Sequence, residues 1–292
     1  MYMIIAIVLV GIVLLLCIVE WIREIKTFQI KHYDIVSDKL TGIEKEQKIL
    51  FLTDLHNNSY GKNNVKLLER IRKESPDYIF VGGDMLVGKK GVSTNIAEDF
   101  VRQLTELCPV YYGNGNHEFR MKIDTEEYGD AFQPYKKALV DSGVCFLENE
   151  HVDLMWGNVP VQIHGLEIPR EAYKKFKKTE VSLEEVEERI GKADERSYKI
   201  LLAHNPSYVD VYRKWGADLI LCGHLHGGVV RIPKLGGVIT PQFFPFPKYS
   251  GELTVEDDVA IVVSKGLGTH TIKVRFLNPA EVVVLHLKGK EK

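Results

Sequence analysis

Apolar residues are distributed along this chain in one long run at the start and in many short runs after it. Residues 3–19 form the long run and include no charged residue. A run of this length is at the short end of what crosses the ~30 Å hydrocarbon core of a bilayer. Trp21 follows the run as the kind of aromatic residue found at membrane interfaces. The pattern predicts a transmembrane anchor at 1–22 and a folded domain at 23–292.

A cleaved signal peptide is the alternative to this anchor. No Lys or Arg precedes the apolar run, and no small-residue cleavage pattern follows it before Glu20. Positive charges at Arg23, Lys26 and Lys31 lie on its C-terminal side. By the positive-inside rule they favour a single-pass protein of the cell membrane whose folded domain lies in the cytoplasm.

The short apolar runs are bounded by turn residues, which is typical of strands, and apolar residues at helical spacing predict helices between them. Predicted strands lie at 27–35, 48–53, 78–81, 110–112, 151–156, 159–164, 200–203, 218–222, 259–263, 272–276 and 282–287. Predicted helices begin after an Asn cap at Asn63 or Asn64, at Asn95, at Ser182 with a capping box, and at Pro206. Strand-then-helix units in both halves predict an α/β fold of two packed sheets flanked by helices.

Composition and charge narrow the class of protein. The 292 residues, 45% of them hydrophobic, suffice for one large core. The net charge of −2, with acids and bases interspersed, offers no basic face, so we expect no nucleic-acid partner and find no support for a nuclease. The four cysteines show no CxxC spacing, which favours reduced, buried thiols and a packing role for Cys222.

Short polar clusters lie at or just after five of the apolar runs. Ligands of open α/β sheets collect outside the carboxyl ends of strands, which is where these clusters are predicted to lie. Together they supply Asp, Asn and His side chains, a donor set suited to two adjacent divalent metals, which is a device for cleaving phosphate esters. The clusters are Asp54-Leu55-His56, Gly83-Asp84, Gly115-Asn116-His117-Glu118, His204-Asn205 and Gly223-His224-Leu225-His226.

Two neighbouring metals need a shared ligand because bare cations repel one another. Asp84 is the candidate bridge, since the two glycines before it let the backbone approach closely. One group of side chains is predicted to bind the first metal and another group the second. The first group is Asp54, His56 and His226, and the second is Asn116, His204 and His224. Nitrogen and oxygen donors suit Mn, Fe, Zn or Co and exclude a thiolate zinc site.

His117 adjoins a predicted ligand without being needed as one. A histidine in this place can protonate the leaving oxygen or stabilise the charged phosphoryl oxygens. The alternative is a histidine that only forms hydrogen bonds within its loop. We therefore predict His117 as the catalytic residue and leave the substrate-binding residues unassigned.

The order of the five clusters resembles the calcineurin-like metallophosphoesterase superfamily. The resemblance runs from about residue 27 to the C-terminus, and Glu118 stands where many members carry Asp. It implies a four-layer α/β/β/α sandwich, two ions of Mn, Fe or Zn, the metal ligands predicted above, and His117 as the catalytic histidine. The anchor, His204-Asn205-Pro206 and His226-Gly227-Gly228 look most like the membrane-associated bacterial branch of YkuE and YaeI type, which includes UDP-2,3-diacylglucosamine pyrophosphatase-like enzymes.

Aromatic residues alternate with prolines over 241–249, which predicts a rigid apolar loop. The loop follows the last polar cluster and forms either a hydrophobic lip for an acyl chain or a cap over the core. Together with the short link to the anchor, a lip favours hydrolysis of a phosphodiester or pyrophosphate bond in a lipid-linked substrate. The alternatives are a phosphomonoesterase or cyclic nucleotide phosphodiesterase acting on soluble substrates, and a non-catalytic scaffold of the same fold.

Overall fold

The computed structural model describes residues 1–269 and 273–290. The strands, in chain order, are β1 (Phe28–Ser37), β2 (Gln47–Leu52), β3 (Tyr78–Val81), β4 (Val110–Gly113), β5 (Val144–Leu147), β6 (His151–Trp156), β7 (Val159–Leu166), β8 (Tyr198–Ala203), β9 (Leu219–Cys222), β10 (Arg231–Ile232), β11 (Gly236–Gly237), β12 (Glu252–Glu256), β13 (Val259–Val263) and β14 (Ala280–Gly289). The helices are α1 (Tyr2–Lys26), α2 (Val65–Glu74), α3 (Asn95–Leu104), α4 (Asn116–Ile123), α5 (Thr125–Tyr128), α6 (Phe132–Asp141), α7 (Leu183–Ile190) and α8 (Val209–Trp215).

The N-terminal helix α1 carries the long apolar run and is exposed along most of its length. Its length and composition are sufficient to cross a membrane, and a signal sequence near an N-terminus shares both properties. The helix continues past residue 22 because its last turns pack on the domain. Trp21 Nε1 donates to the carbonyl of Lys273 at 2.9 Å, and Glu24 is buried.

Two six-stranded mixed sheets form the framework of the domain. The first has the strand order β1-β14-β2-β3-β4-β5, and the second has the order β12-β13-β9-β8-β7-β6. Strands β2 to β5 run parallel to one another, and so do β7, β8, β9 and β13. Their carboxyl ends therefore lie along one edge of each sheet, where the polar clusters follow.

Alternation of side chains along the strands divides the apolar residues among layers. In β2, Ile49 and Phe51 pack in the core between the sheets, whereas Leu50 and Leu52 pack in the core under α2, α3 and α6. A third apolar core lies between the second sheet and helices α7 and α8. The predicted α/β/β/α sandwich is confirmed, and burial of each sheet on both faces explains why its central strands read as continuous apolar runs.

Several local predictions need correction. The structure adds the strands β5, β10, β11 and β12 and the helix α4, which no prediction covered. Asn64 precedes α2 but makes no capping hydrogen bond, because its Oδ1 accepts the N–H of Tyr60 instead. The predicted strand at 272–276 begins outside the described residues, and within 273–276 only Phe276 forms a β-bridge. Cys222 is a free thiol packed in the third apolar core, as predicted.

Candidate metal centre

The five polar clusters follow five parallel strands. Asp54 comes just after β2, Asp84 just after β3, and Asn116 is the first residue of α4 after β4. In the second sheet, His204 directly follows β8 and His224 comes just after β9. The facing of the two sheets brings these strand ends to one place.

The loops that carry the clusters turn sharply. Asp54, His56, Asp84, His224 and His226 all have φ between 47° and 68°, a left-handed conformation that costs free energy for residues with a Cβ. Such backbone persists only where surrounding contacts fix it. The conformations are typical of a functional site and show that the loops are built around these side chains.

Glycines let the loops approach one another closely. A Cβ on Gly83 would lie 2.0 Å from the backbone nitrogen of Gly115, and one on Gly223 would lie 2.3 Å from Oδ2 of Asp54. These positions admit no side chain. The glycines that precede Asp84 and His224 are therefore required by packing.

Asp54, His56 and His226 form one buried group whose ligand atoms lie within 4.8 Å of one another. Nε2 of His226 lies 3.4 Å from Oδ1 of Asp54, and Nε2 of His56 lies 3.7 Å from the same oxygen. The two imidazole nitrogens are 3.1 Å apart. The group has the size and the donor types of a cation site.

Asp84, His204 and His224 form a second buried group within the same limit. Nε2 of His204 lies 3.2 Å from Oδ2 of Asp84. Nδ1 of His204 lies 2.7 Å from the carbonyl of Gly82, and because a carbonyl can only accept, this nitrogen carries the proton. In the neutral ring, which is the form that binds a metal, the lone pair of His204 is therefore on Nε2, facing Asp84.

Asp84 links the two groups. Its Oδ2 lies 3.7 Å from Nε2 of His56, and a further group of ligand atoms within 4.8 Å joins Asp84 with His56 and His117. Asn116 completes the predicted set. Its Oδ1 is buried and has no hydrogen-bond partner among the described residues, as expected of an oxygen that awaits a ligand.

The pKa values of the buried groups show that positive charge stabilises the centre. Burial opposes ionisation of Asp54, but His226 and His204 hold its pKa below its usual range. Burial acts in the same way on Asp84, whose pKa is held well below its usual range by His204 and His117. For His204 the loss of solvation is outweighed by Asp84 and Asp54, which raise its pKa to about 10. Two buried carboxylates need paired cations, and the donor set fits two divalent ions.

His117 is held in a defined tautomer. The backbone N–H of Gly88 donates to its Nδ1 at 2.9 Å, so the neutral ring carries its proton on Nε2. Nε2 lies 3.9 Å from Oδ2 of Asp84. Arg120 lies against the ring, with Nη2 2.7 Å from Nδ1 and 2.9 Å from Nε2. His117 therefore presents an N–H donor at the edge of the predicted metal ligands.

Two cavities open at the centre, and most of their lining residues were not predicted. A cavity of about 420 Å³ adjoins Asn116 and His224 and is lined by cationic and aromatic side chains. A smaller slot of about 180 Å³ adjoins His226 and is lined mainly by apolar side chains. The cationic cavity contains Arg120, Arg170, Lys174, Lys175, Phe119, Tyr128, Tyr173 and Gln242. The apolar slot contains Val229, Ile239, Pro241, Phe243 and Val274, and its polar lining residues besides His226 are Lys175, Thr240, Thr269 and Arg275.

Comparison with known proteins gives concordant results. A family model described as calcineurin-like phosphoesterase matches residues 47–228, more than half of the chain. The phosphodiesterase YaeI of Escherichia coli is 26% identical over 76% of this chain and 75% of its own length. The uncharacterised metallophosphoesterase YkuE of Bacillus subtilis is 26% identical over 83% of this chain and 79% of its own length.

A solved structure supports the same fold. The phosphopantetheinyl hydrolase PptH of Mycobacterium tuberculosis superposes with a TM-score of 0.51, covering 81% of this chain and 98% of that chain. Its sequence identity to this chain is 15%, so the likeness concerns the fold alone.

Proposed function

The chain belongs to the calcineurin-like phosphoesterase family and is a metal-dependent phosphohydrolase; we propose that it hydrolyses a phosphodiester or pyrophosphate bond in a lipid-linked substrate at a membrane. The observation that carries this proposal is the pair of buried ligand groups linked through Asp84, with two chemically different cavities beside them. Phosphoester hydrolysis follows from the family. The membrane, the lipid and the type of bond are the proposed part.

In this proposal Asp54, His56 and His226 hold one divalent ion of Mn, Fe or Zn. Asn116, His204 and His224 hold the other, and Asp84 is shared. Such ions polarise the phosphoryl oxygens and lower the pKa of a bound water.

The protein's own groups have separate tasks. Nε2–H of the neutral His117 ring donates a hydrogen bond to the leaving oxygen and stabilises the negative charge that develops there, and Gly88 keeps the proton on that nitrogen. Arg120, beside His117, offers a charged donor to the phosphoryl oxygens. Burial of Asp54 and Asp84 excludes bulk water and strengthens every charge interaction within the centre.

The apolar slot supports a lipid substrate. Its wall includes Val274, which follows Lys273, the residue whose carbonyl accepts a hydrogen bond from Trp21 of α1. The slot therefore lies on the side of the centre that faces the apolar helix. At its rim, the exposed ring of Phe176 stacks on that of Phe243 with centroids 4.8 Å apart. An acyl chain that leaves the bilayer beside α1 meets this surface first.

The cationic cavity supports a second anionic group on the substrate. Arg170 and Lys174 line it together with Tyr173, and Lys175 and Pro241 border both this cavity and the apolar slot. A phosphomonoester has no second phosphoryl group for these cationic side chains to bind. A UDP-2,3-diacylglucosamine-like molecule has the required form, because it joins acyl chains to a nucleoside through a pyrophosphate.

The first test is hydrolysis by the full-length protein in detergent micelles, with Mn²⁺, Zn²⁺, Mg²⁺ or chelator. We expect metal-dependent cleavage of bis-p-nitrophenyl phosphate in preference to p-nitrophenyl phosphate, abolished in Asp84→Asn. A lipid-linked pyrophosphate should be cleaved faster than its water-soluble headgroup analogue. Preference for the monoester would favour the phosphomonoesterase, equal turnover of the soluble analogue would favour a soluble substrate, and no turnover of any ester would favour the scaffold.

A further inference from the structure

Glu24 lies in an unexpected place for a membrane-proximal carboxylate. Of the residues of α1, all of them described, Glu24 alone is buried. Its two carboxylate oxygens both lie 3.0 Å from the backbone nitrogen of Asn278, whose N–H they accept. A buried carboxylate is costly unless it is bonded in this way, so the contact fixes the last turns of α1 to one point of the domain.

Asn278 in turn holds the turn that carries His226. Its side-chain Nδ2 donates to the carbonyl of His226 at 2.6 Å and to that of Val229 at 3.2 Å. Gly227 packs directly on Asn278, since a Cβ there would lie 2.1 Å from Oδ1. His226 has a φ of 48°, a conformation that needs outside contacts to persist.

We propose that Glu24 and Asn278 are positioning residues of the metal centre. They hold His226 in its ligating geometry, so the membrane-proximal end of α1 forms part of the site rather than a passive tether. The inference rests on metal binding by the proposed centre but not on any substrate. It predicts that changes in the last turns of α1 alter metal affinity at a distance.

A second contact from the same segment, Lys273 to Asn278, supports the other side of the first ligand group. Arg275 is fully buried and donates to the carbonyls of Gly266 and Gly268. The N–H of Gly268 donates to the carbonyl of Asp54 at 2.6 Å, and a Cβ on Gly266 would lie 2.6 Å from Cβ of Asp54. The segment thus braces both Asp54 and His226. No corresponding contact is recorded for His204 or Asn116 among the described residues.

Replacing Glu24 or Asn278 should therefore lower the affinity for only one of the two metals. Loss of a residue that orients a ligand typically lowers metal affinity by about 10- to 100-fold. We expect this loss at the site of Asp54, His56 and His226 and little change at the site of His204 and His224.

The test is titration of Mn²⁺ into metal-free, full-length protein in detergent micelles, followed by calorimetry and by metal analysis after dialysis. Glu24→Ala and Asn278→Ala should each weaken one of two sites by about tenfold or more. Glu24→Gln, which keeps an oxygen that accepts the N–H of Asn278, should restore most of the affinity. Lys26→Ala removes an exposed charge from the last turn of the same helix and should bind like the parent.

Wild-type affinity at both sites in Glu24→Ala and Asn278→Ala, with cooperative unfolding retained, would overturn the proposal. Equal weakening at both sites in Glu24→Ala and Glu24→Gln, with a lowered unfolding midpoint, would also overturn it, because that is the result of general destabilisation. Failure of the proposed function gives a different result, since inactivity on every phosphoester leaves these metal affinities measurable.

Discussion

The carboxylate of Glu118 accepts the backbone N–H of Asp84 through Oε2 at 2.8 Å. Its other oxygen accepts the N–H of Met85 at 2.9 Å and the hydroxyl of Tyr112 at 2.9 Å. Glu118 also accepts the N–H of Gly115 at 3.1 Å, so it ties the loop after β3 to the start of α4. Glu118 therefore fixes the position of the proposed bridging carboxylate without approaching a substrate.

Replacing Glu118 by Ala should unfold this loop and remove metal binding. Each buried N–H left without an acceptor costs about 1–3 kcal/mol, so we expect a loss of about 3 kcal/mol or more in the free energy of unfolding. Denaturant unfolding with and without Mn²⁺ measures it. Glu185→Ala is the matched control, because Glu185 caps α7 in the same way at an exposed site and should cost about 1 kcal/mol or less.

His117→Asn should affect substrates according to their leaving group. A hydrogen bond to the leaving oxygen contributes about 10²–10³-fold when that oxygen is strongly basic and gains much negative charge, whereas p-nitrophenolate is stable without it. We expect kcat on an alkyl phosphodiester to fall by about 100-fold or more and kcat on bis-p-nitrophenyl phosphate to fall by less than about tenfold. Equal losses on both substrates would assign His117 a role other than hydrogen bonding to the leaving oxygen.

Phe243→Ser should weaken binding of a lipid-linked substrate and leave its soluble headgroup analogue unaffected. Full burial of a Phe side chain contributes about 1.5–3 kcal/mol, so a rise in KM of about tenfold is expected for the lipid. Phe246→Ser is the control, since Phe246 lies in the same loop, is 59% exposed and does not line the slot. A similar rise in KM for both variants would show that the loop acts only through general membrane affinity.

Arg170→Ala should raise KM for a pyrophosphate substrate. A hydrogen bond to a charged group contributes about 1.5–3 kcal/mol, which corresponds to about tenfold or more. Bis-p-nitrophenyl phosphate, which has no second phosphoryl group, should show no change. Arg196→Ala is the control because Arg196 makes the same kind of carboxylate pair at 2.9 Å, outside the cavity.

The free energy of unfolding of the domain should fall between pH 7 and pH 5, because His164 takes up a proton more readily in the unfolded state. Burial and the neighbouring His151 lower its pKa from 6.5 to about 4. The folded state therefore resists the proton that the unfolded state takes up, so stability is complete above pH 6.5 and declines as the pH falls towards 4. Over pH 7 to 5 the loss is about 2 kcal/mol.

This loss should be absent from His164→Gln, which keeps a polar side chain beside Gln162 and Trp215. Denaturant unfolding of both proteins at pH 7 and pH 5 measures the difference. An equal pH dependence in both would assign the acid sensitivity to other groups, such as the metal-site carboxylates.

The convergence of the five polar clusters was predictable because its signal is local. Each proposed ligand follows a short apolar run by a few residues, as Asp84 follows β3, so strand ends and ligand types can be read together. The sandwich fold was predictable for the same reason, because its strands and helices also follow from local patterns in the sequence. The family resemblance then grouped the clusters into one centre.

The features that the sequence did not predict depend on contacts between residues far apart in the chain. The insertion of β14 between β1 and β2, and the contacts of Asn278 with both Glu24 and His226, join residues more than 50 positions apart. Arg170 and Tyr173 lie in a cavity through a loop with no motif of its own. Pattern and spacing carry no information about which loops meet, and helix α4 was missed because its start coincides with the polar cluster at Asn116.

The placement of β14 between β1 and β2 has a consequence for biosynthesis. β1 directly follows the apolar helix in the chain, whereas its neighbour β14 begins only at Ala280. The first sheet therefore cannot form completely until β14 has been translated. Until then β1 and β2 each have an unpaired edge, and an exposed strand edge is a site at which chains associate and aggregate.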